Sequence, residues 1–183
     1  MRALITSALL LLSPAAQLQG QTCGVTPRTT VADSGLGGLA IGAPLQTVQA
    51  LCRVVRDTVQ NNDDYVEMER VLYVDLGRDT VVVAIRDSRI DRIDILSSRF
   101  RTPDSLSVGM TLRQLLRKPG VTAAASEASI QADVPGHCGL GVELSGRGPS
   151  KEDPEYTNAE LRRWPATITV TKLSIYGCRR GEC

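Results

Sequence analysis

Any chemistry in this 183-residue chain would rest on one histidine, five cysteines and a scatter of carboxylates. His137 directly precedes Cys138, a pairing that could place an imidazole beside a thiolate. Neighbours along a strand point to opposite faces, so the expectation is a disulfide at Cys138 beside an ordinary loop histidine. Asn61, Asn62, Asp63, Asp64, Glu67 and Glu69 offer oxygens in the manner of a calcium loop, without the glycine that an EF-hand turn requires. They are read as a solvated acidic loop. The carboxylate pairs Asp91 with Asp94 and Glu152 with Asp153 would suit glycoside hydrolysis only beside aromatic platforms, and aromatics make up 3% of the chain.

The segment 33–38 (DSGLGG) has the lettering of a serine-nucleophile loop. A serine nucleophile needs a base and an acid to orient it. The only base is His137, about a hundred residues later, in the wrong order for a chymotrypsin-like protease. Residues 35–42 hold four glycines but no following Lys-Ser or Lys-Thr, so no phosphate loop is read there. A glycine-rich surface loop accounts for both. The expectation is no catalytic residue, no cofactor and no resident metal.

All five cysteines, Cys23, Cys52, Cys138, Cys178 and Cys183, lie beyond a leader with the grammar of an export signal. Met1 and Arg2 give a positive end, 3–12 is apolar, and Ser13-Pro14 ends that run ahead of small residues. Cleavage is expected after Gly20, with Ala15 and Ala16 as alternatives. The apolar run falls short of the roughly 20 residues that span a bilayer, and no later segment is apolar enough to cross one. A lipid anchor at Cys23 is disfavoured by Gln21 in the position where a small residue is wanted. The product is expected to be secreted or periplasmic and soluble.

In an oxidising compartment the cysteines read as disulfide partners, and none forms a CxxC pair. Cys138 with Cys178 is the preferred pair, since both sit at ends of strand candidates. Cys52 falls on a helical apolar stripe and reads equally as a small buried hydrophobe. Without residues 1–20, basic and acidic side chains number 20 each, which argues against nucleic acid as a partner.

The elements that position these groups follow from periodicity. Residues 21–38 read as a flexible leader. Pro44 opens a helix with Leu45, Val48, Leu51, Cys52 and Val55 on one stripe. Strands are expected at 71–76, 80–85 and 90–96, the last with a bulge between Ile90 and Ile93. Short turns join them, as in an antiparallel meander. A second helix carries Leu112, Leu115 and Leu116. Further strands are expected at 128–134, 139–144 and 166–176. The polar stretch 145–165 is read as a long surface loop whose Tyr156 and Trp164 pack at its base or form a partner-contact edge.

The two halves share a pattern, L-x-[IV]-G-x-x-L, at 39–45 and 106–112. The fold class expected is α+β: antiparallel sheet with two short helices packed on one face. It forms a single domain over 39–183, with 39–101 and 102–183 as the bounds if the halves are repeats.

Residues 100–116 (FRTPDSLSVGMTLRQLL), preceded by Ile93-Asp94-Ile95, resemble exported bacterial α+β modules of the outer-membrane assembly lipoprotein and β-lactamase-inhibitor-protein type. The resemblance implies a non-catalytic scaffold that binds another envelope or secreted component. The chain departs from that type in its scarcity of aromatics and in the poor fit of the residues before Cys23 to an anchor signal, so neither named activity is carried over. The competing class is a small secreted hydrolase whose site assembles only in the fold.

Overall fold

The computed structural model describes residues 22–26, 28–62, 65–125, 129–146 and 155–178. The expected export leader 1–20, Asp63, Asp64, Glu152, Asp153 and Cys183 lie outside the described residues. Among the described residues the protein is dominated by two antiparallel sheets, with three short helices rather than two.

The first sheet is small: β1 (Val31–Ala32), β2 (Gly35–Leu36) and β3 (Leu39–Ala40). Helix α1 (Leu45–Leu51) follows, then a meander of β4 (Arg53–Asn62), β5 (Tyr65–Asp75), β6 (Thr80–Arg86) and β7 (Arg89–Ile95). Helix α2 (Leu112–Leu115) leads a second meander of β8 (Thr122–Ala125), β9 (Ile130–Asp133) and β10 (Leu140–Leu144). After β11 (Glu155–Tyr156) and helix α3 (Asn158–Leu161), β12 (Val170–Ile175) completes it. The large sheet runs β11-β8-β9-β10-β12-β7-β6-β5-β4, so the two meanders meet along β12 and β7. They meet over only three residue pairs, Leu173 with Ile95, Ser174 with Asp94 and Ile175 with Ile93.

The shared glycine pattern does the same work in both places. Gly42 and Gly109 take φ near +80°, which only glycine adopts without cost. The Gly42 N–H donates to the Ile90 carbonyl at 2.7 Å, and the Gly109 N–H to that of Val170 at 2.8 Å. Each motif is thereby tied to the last strand of its own meander, and the Leu three residues on starts a buried helix face. The capping boxes of α2 (Thr111 with Gln114) and α3 (Thr157 with Glu160) fix the starts of those short helices.

One face of the large sheet carries the core. Leu72, Val83, Ile93, Val142, Leu173 and Ile175 are buried there in one cluster with Leu45 and Val48 of α1, Leu112 and Leu115 of α2 and Leu161 of α3. Each such side chain contributes about 1.5–3 kcal/mol through burial.

Three expectations are corrected. The helix at 45 ends at Leu51 and does not reach Val55: Leu51 is 44% and Val55 52% exposed, and β-branched Val54, Val55, Thr58 and Val59 run on as β4. The stretch 145–165, read as loop, contains β11 and α3. Residues 22–38, read as a flexible leader, enclose buried Cys23, Val31 and Leu36. The small sheet they help to form is bound to both meanders. Val31 N–H donates to the Arg101 carbonyl at 2.8 Å, and Ile41, just after β3, packs on Gly177. Gly139 fits where a Cβ would stand 2.5 Å from the Asp33 carbonyl oxygen and 2.8 Å from the Cys178 nitrogen, so only glycine lets these three segments meet.

Candidate functional site

Among the described residues, the second face of the large sheet carries no helix-borne apolar layer. Val71 and Ala84 are buried on it yet stand apart from the core cluster. Cross-strand register lines Ala84 up with Arg92, and Val82 with Asp94, Ser174 and Gly141. The Arg92 guanidinium donates from Nε to both Asp94 oxygens at 3.1 and 3.0 Å, and from Nη2 to Glu69 Oε2 at 2.8 Å. Ser174 donates its hydroxyl to Asp94 Oδ1 at 2.7 Å. Burial opposes the Arg92 charge, and the facing carboxylates of Asp94 and Glu69 overcome that and raise its pKa further. Alongside, Lys172 pairs with Glu143 at 2.6 Å. Beyond Gly141 the face opens into a depression of about 700 Å³ bordered by Thr122, Ala124, Gln131 and Asp133.

A second constellation lies at the small sheet. His137, in the β9–β10 turn, is held on both ring nitrogens by carboxylates. Nδ1 lies 2.9 Å from Asp33 Oδ1 and Nε2 lies 3.1 Å from Asp104 Oδ1. Asp104 also accepts from Thr102 and Lys118. Burial disfavours the charged imidazole, and its hydrogen bonds to Asp33 and Asp104 outweigh that, so the His137 pKa is raised. Burial would raise the Asp104 pKa, but its bonds from Lys118, Thr102 and His137 hold it well below the usual carboxylate range.

The sign of the resulting pH dependence follows from linkage. A histidine raised above its ordinary value of 6.5 contributes stability fully present below that value and lost as pH rises through the folded-state pKa. The unfolding midpoint is expected to fall as pH is raised from 6.5 through that higher value, and His137→Gln to flatten the slope. Thermal melts across this window check it. A wild-type slope matched by the variant would mean that His137 is not the group responsible.

The preferred cysteine pair is within disulfide distance: Cys138 and Cys178 are joined, with Cα atoms 5.1 Å apart. Cys52 is also paired, with Cys23, and is not a lone buried hydrophobe. Spacing did not point to that bond, because Cys23 sits in what read as loose chain. With Cys138 in a disulfide, the Asp33–His137 pair has no thiol nucleophile beside it. Tyr156 is buried and meets Trp164 edge-on at 4.8 Å between ring centroids. Both rings therefore pack at the base of the 145–165 stretch. The stretch read as a solvated acidic loop is instead the junction of two strands, with Asn61 and Asn62 in β4 and Glu69 in β5, buried and committed to Arg92. Asp94 of the carboxylate pair is likewise committed, and Asp91 lies 3.6 Å from Arg86.

No family model matches the chain, and no curated protein matches it. Among solved structures it is similar to the uncharacterized protein yfeY from Escherichia coli, with a TM-score of 0.58 and 22% identity. The match covers 81% of this chain and 99% of that one, and at that identity it speaks for the fold alone.

Proposed function

We propose that this chain is an exported, non-catalytic binding protein that engages another envelope or secreted protein through the open face of its large sheet. The observation that carries the reading is the division of that sheet. One face is packed under helices, while the other is left with a paired charge network and the depression beside Gly141. The buried network stiffens this face, and the part-exposed Lys172–Glu143 pair with exposed Gln131 and Asp133 offers the polar groups by which one partner surface is selected over another. The two disulfides support an oxidising compartment, which agrees with the leader. Among the described residues no helix is long and apolar enough to cross a membrane. The resemblance to envelope binding modules, and the reading of 39–101 and 102–183 as related halves, fit the same proposal.

Cross-linked capture of the tagged protein from its native envelope, read by mass spectrometry, tests it. A single stoichiometric partner is expected. Thr122→Arg with Ala124→Arg, both on exposed positions of the open face, is expected to reduce its recovery at least tenfold. Arg117→Glu, an exposed change just after α2, is expected to leave recovery unchanged. Equal recovery with all three proteins would refute the sheet face as the binding surface.

A further inference from the structure

The two disulfides sit in different surroundings. Cys23 and Cys52 are 0% and 3% exposed, sealed in the core. Cys178 is exposed and Cys138 half-buried, at a surface corner where the turn after β1 meets the start of β10 and the end of β12. Asp33 aims Oδ2 at this bond, 3.7 Å from Cys138 Sγ and 4.0 Å from Cys178 Sγ. One ligand atom from each of Asp33, Cys138 and Cys178 falls within 4.8 Å of the others. His137 fixes the same carboxylate from its far side through Oδ1. The binding reading above makes no use of this corner.

The charges show what reduction would do. In the disulfide the sulfurs are neutral and tolerate the carboxylate. A protein dithiol, attacking the exposed Cys178 sulfur and resolving the mixed disulfide with its second thiol, would leave two thiols here and itself become a disulfide. Two electrons and two protons pass to the Cys138 and Cys178 sulfurs in that exchange. Deprotonating either thiol would then set a thiolate beside Asp33, a like-charge contact that keeps the proton on. A divalent soft cation reverses the balance. It displaces both thiol protons to solvent and is held by two thiolates and one carboxylate oxygen, with a water completing four ligands. Bonds of about 2.3 Å to sulfur and 2.0–2.2 Å to oxygen are within reach of small side-chain rotations. His137, by gripping the other carboxylate oxygen, orients the ligand as such partners do in metal sites.

We propose that reduction of Cys138–Cys178 converts this corner into a binding site for a thiophilic divalent cation of the zinc class, with Cys138, Cys178 and Asp33 as its ligands. The oxidised protein keeps the site closed.

Cobalt(II) is the probe, added to the full chain after brief treatment with dithiothreitol, with alkylation and mass spectrometry showing which cysteines are open. Selective opening of Cys138 and Cys178 is expected, while Cys23–Cys52 stays intact. One equivalent of cobalt should then give a thiolate-to-metal charge-transfer band that the oxidised chain lacks. Cys138→Ser should abolish the band. Asp33→Asn, which keeps the shape of the side chain and both thiols, should weaken cobalt binding at least tenfold. Any of three results overturns the proposal: no band with both thiols open, a band that survives Cys138→Ser, or unchanged affinity in Asp33→Asn. Resistance of Cys138–Cys178 to the reductant until the chain unfolds does so as well.

Discussion

Replacing Arg92 with alanine is expected to cost about 3–5 kcal/mol, a large share of the stability of a domain this size. The guanidinium is the only cation that reaches both Glu69 and Asp94 in the described network, and all three side chains are largely out of water. Removing it leaves two buried carboxylates facing each other without a counter-charge, and Ser174 can satisfy only one oxygen of Asp94. The penalty comes from the orphaned partners, so the triple change Arg92→Met, Glu69→Gln, Asp94→Asn is expected to recover most of it. Urea unfolding with the slope held constant reads both results. A single variant within 1 kcal/mol of wild type would mean that water reaches the network freely.

The second large effect belongs to the buried disulfide. Cys23→Ala with Cys52→Ala opens a loop of 29 residues, for which the chain-entropy cost is about 3–4 kcal/mol. The bond ties the small sheet to the start of β4, and its atoms fill core space, so loss of packing adds to the entropy. The expected outcome is a fall in the unfolding midpoint together with early protease cleavage within residues 22–40. If the midpoint fell while that segment stayed protected, the small sheet would be held by its other contacts alone.

The elements legible in the sequence are those whose reasons are local. The run TVVVAI is β-branched at every position but Ala84 and lies in the sheet interior as β6. The broken period after Ile90 corresponds to a register shift in which Ile85 pairs with Ile90 and Ala84 with Arg92, leaving Asp91 as the extra residue. The two glycine patterns mark two equivalent entries into helices. What escaped notice depends on contacts far along the chain. Two-residue strands have no period to detect, and the Val31 N–H finds its acceptor far along the chain, at the Arg101 carbonyl. Leu51 and Val55 matched a helical stripe by spacing alone, while the β-branched residues around them favoured the strand that forms. Arg92 and Asp94 were legible only as the polar side of a strand. Their union with Glu69 requires the β5–β6–β7 register, which no local pattern specifies. Helix α3 was within reach: Thr157 and Glu160 spell a capping box inside a stretch dismissed as loop.

The small sheet also imposes an order in time. Residues 22–40 leave the ribosome, or any narrow exit, early. Apart from their own strand pairing and the Cys23 contacts with Leu51 and Cys52, their fixed contacts lie at Arg101, His137 and Gly139. A chain delivered amino end first can therefore pair the small strands and Cys23 early, but carries Val31 and Asp33 without their distant partners until much of the rest has emerged. The first meander has its strand partners within reach at once, except along β7, whose outer side waits for β12. Contacts of such long separation slow folding, because loop closure comes before any gain. Truncated chains ending before residue 137 should thus hold the first meander in partial form with an exposed amino end, a state that invites proteases or a chaperone until the carboxyl end arrives to close it.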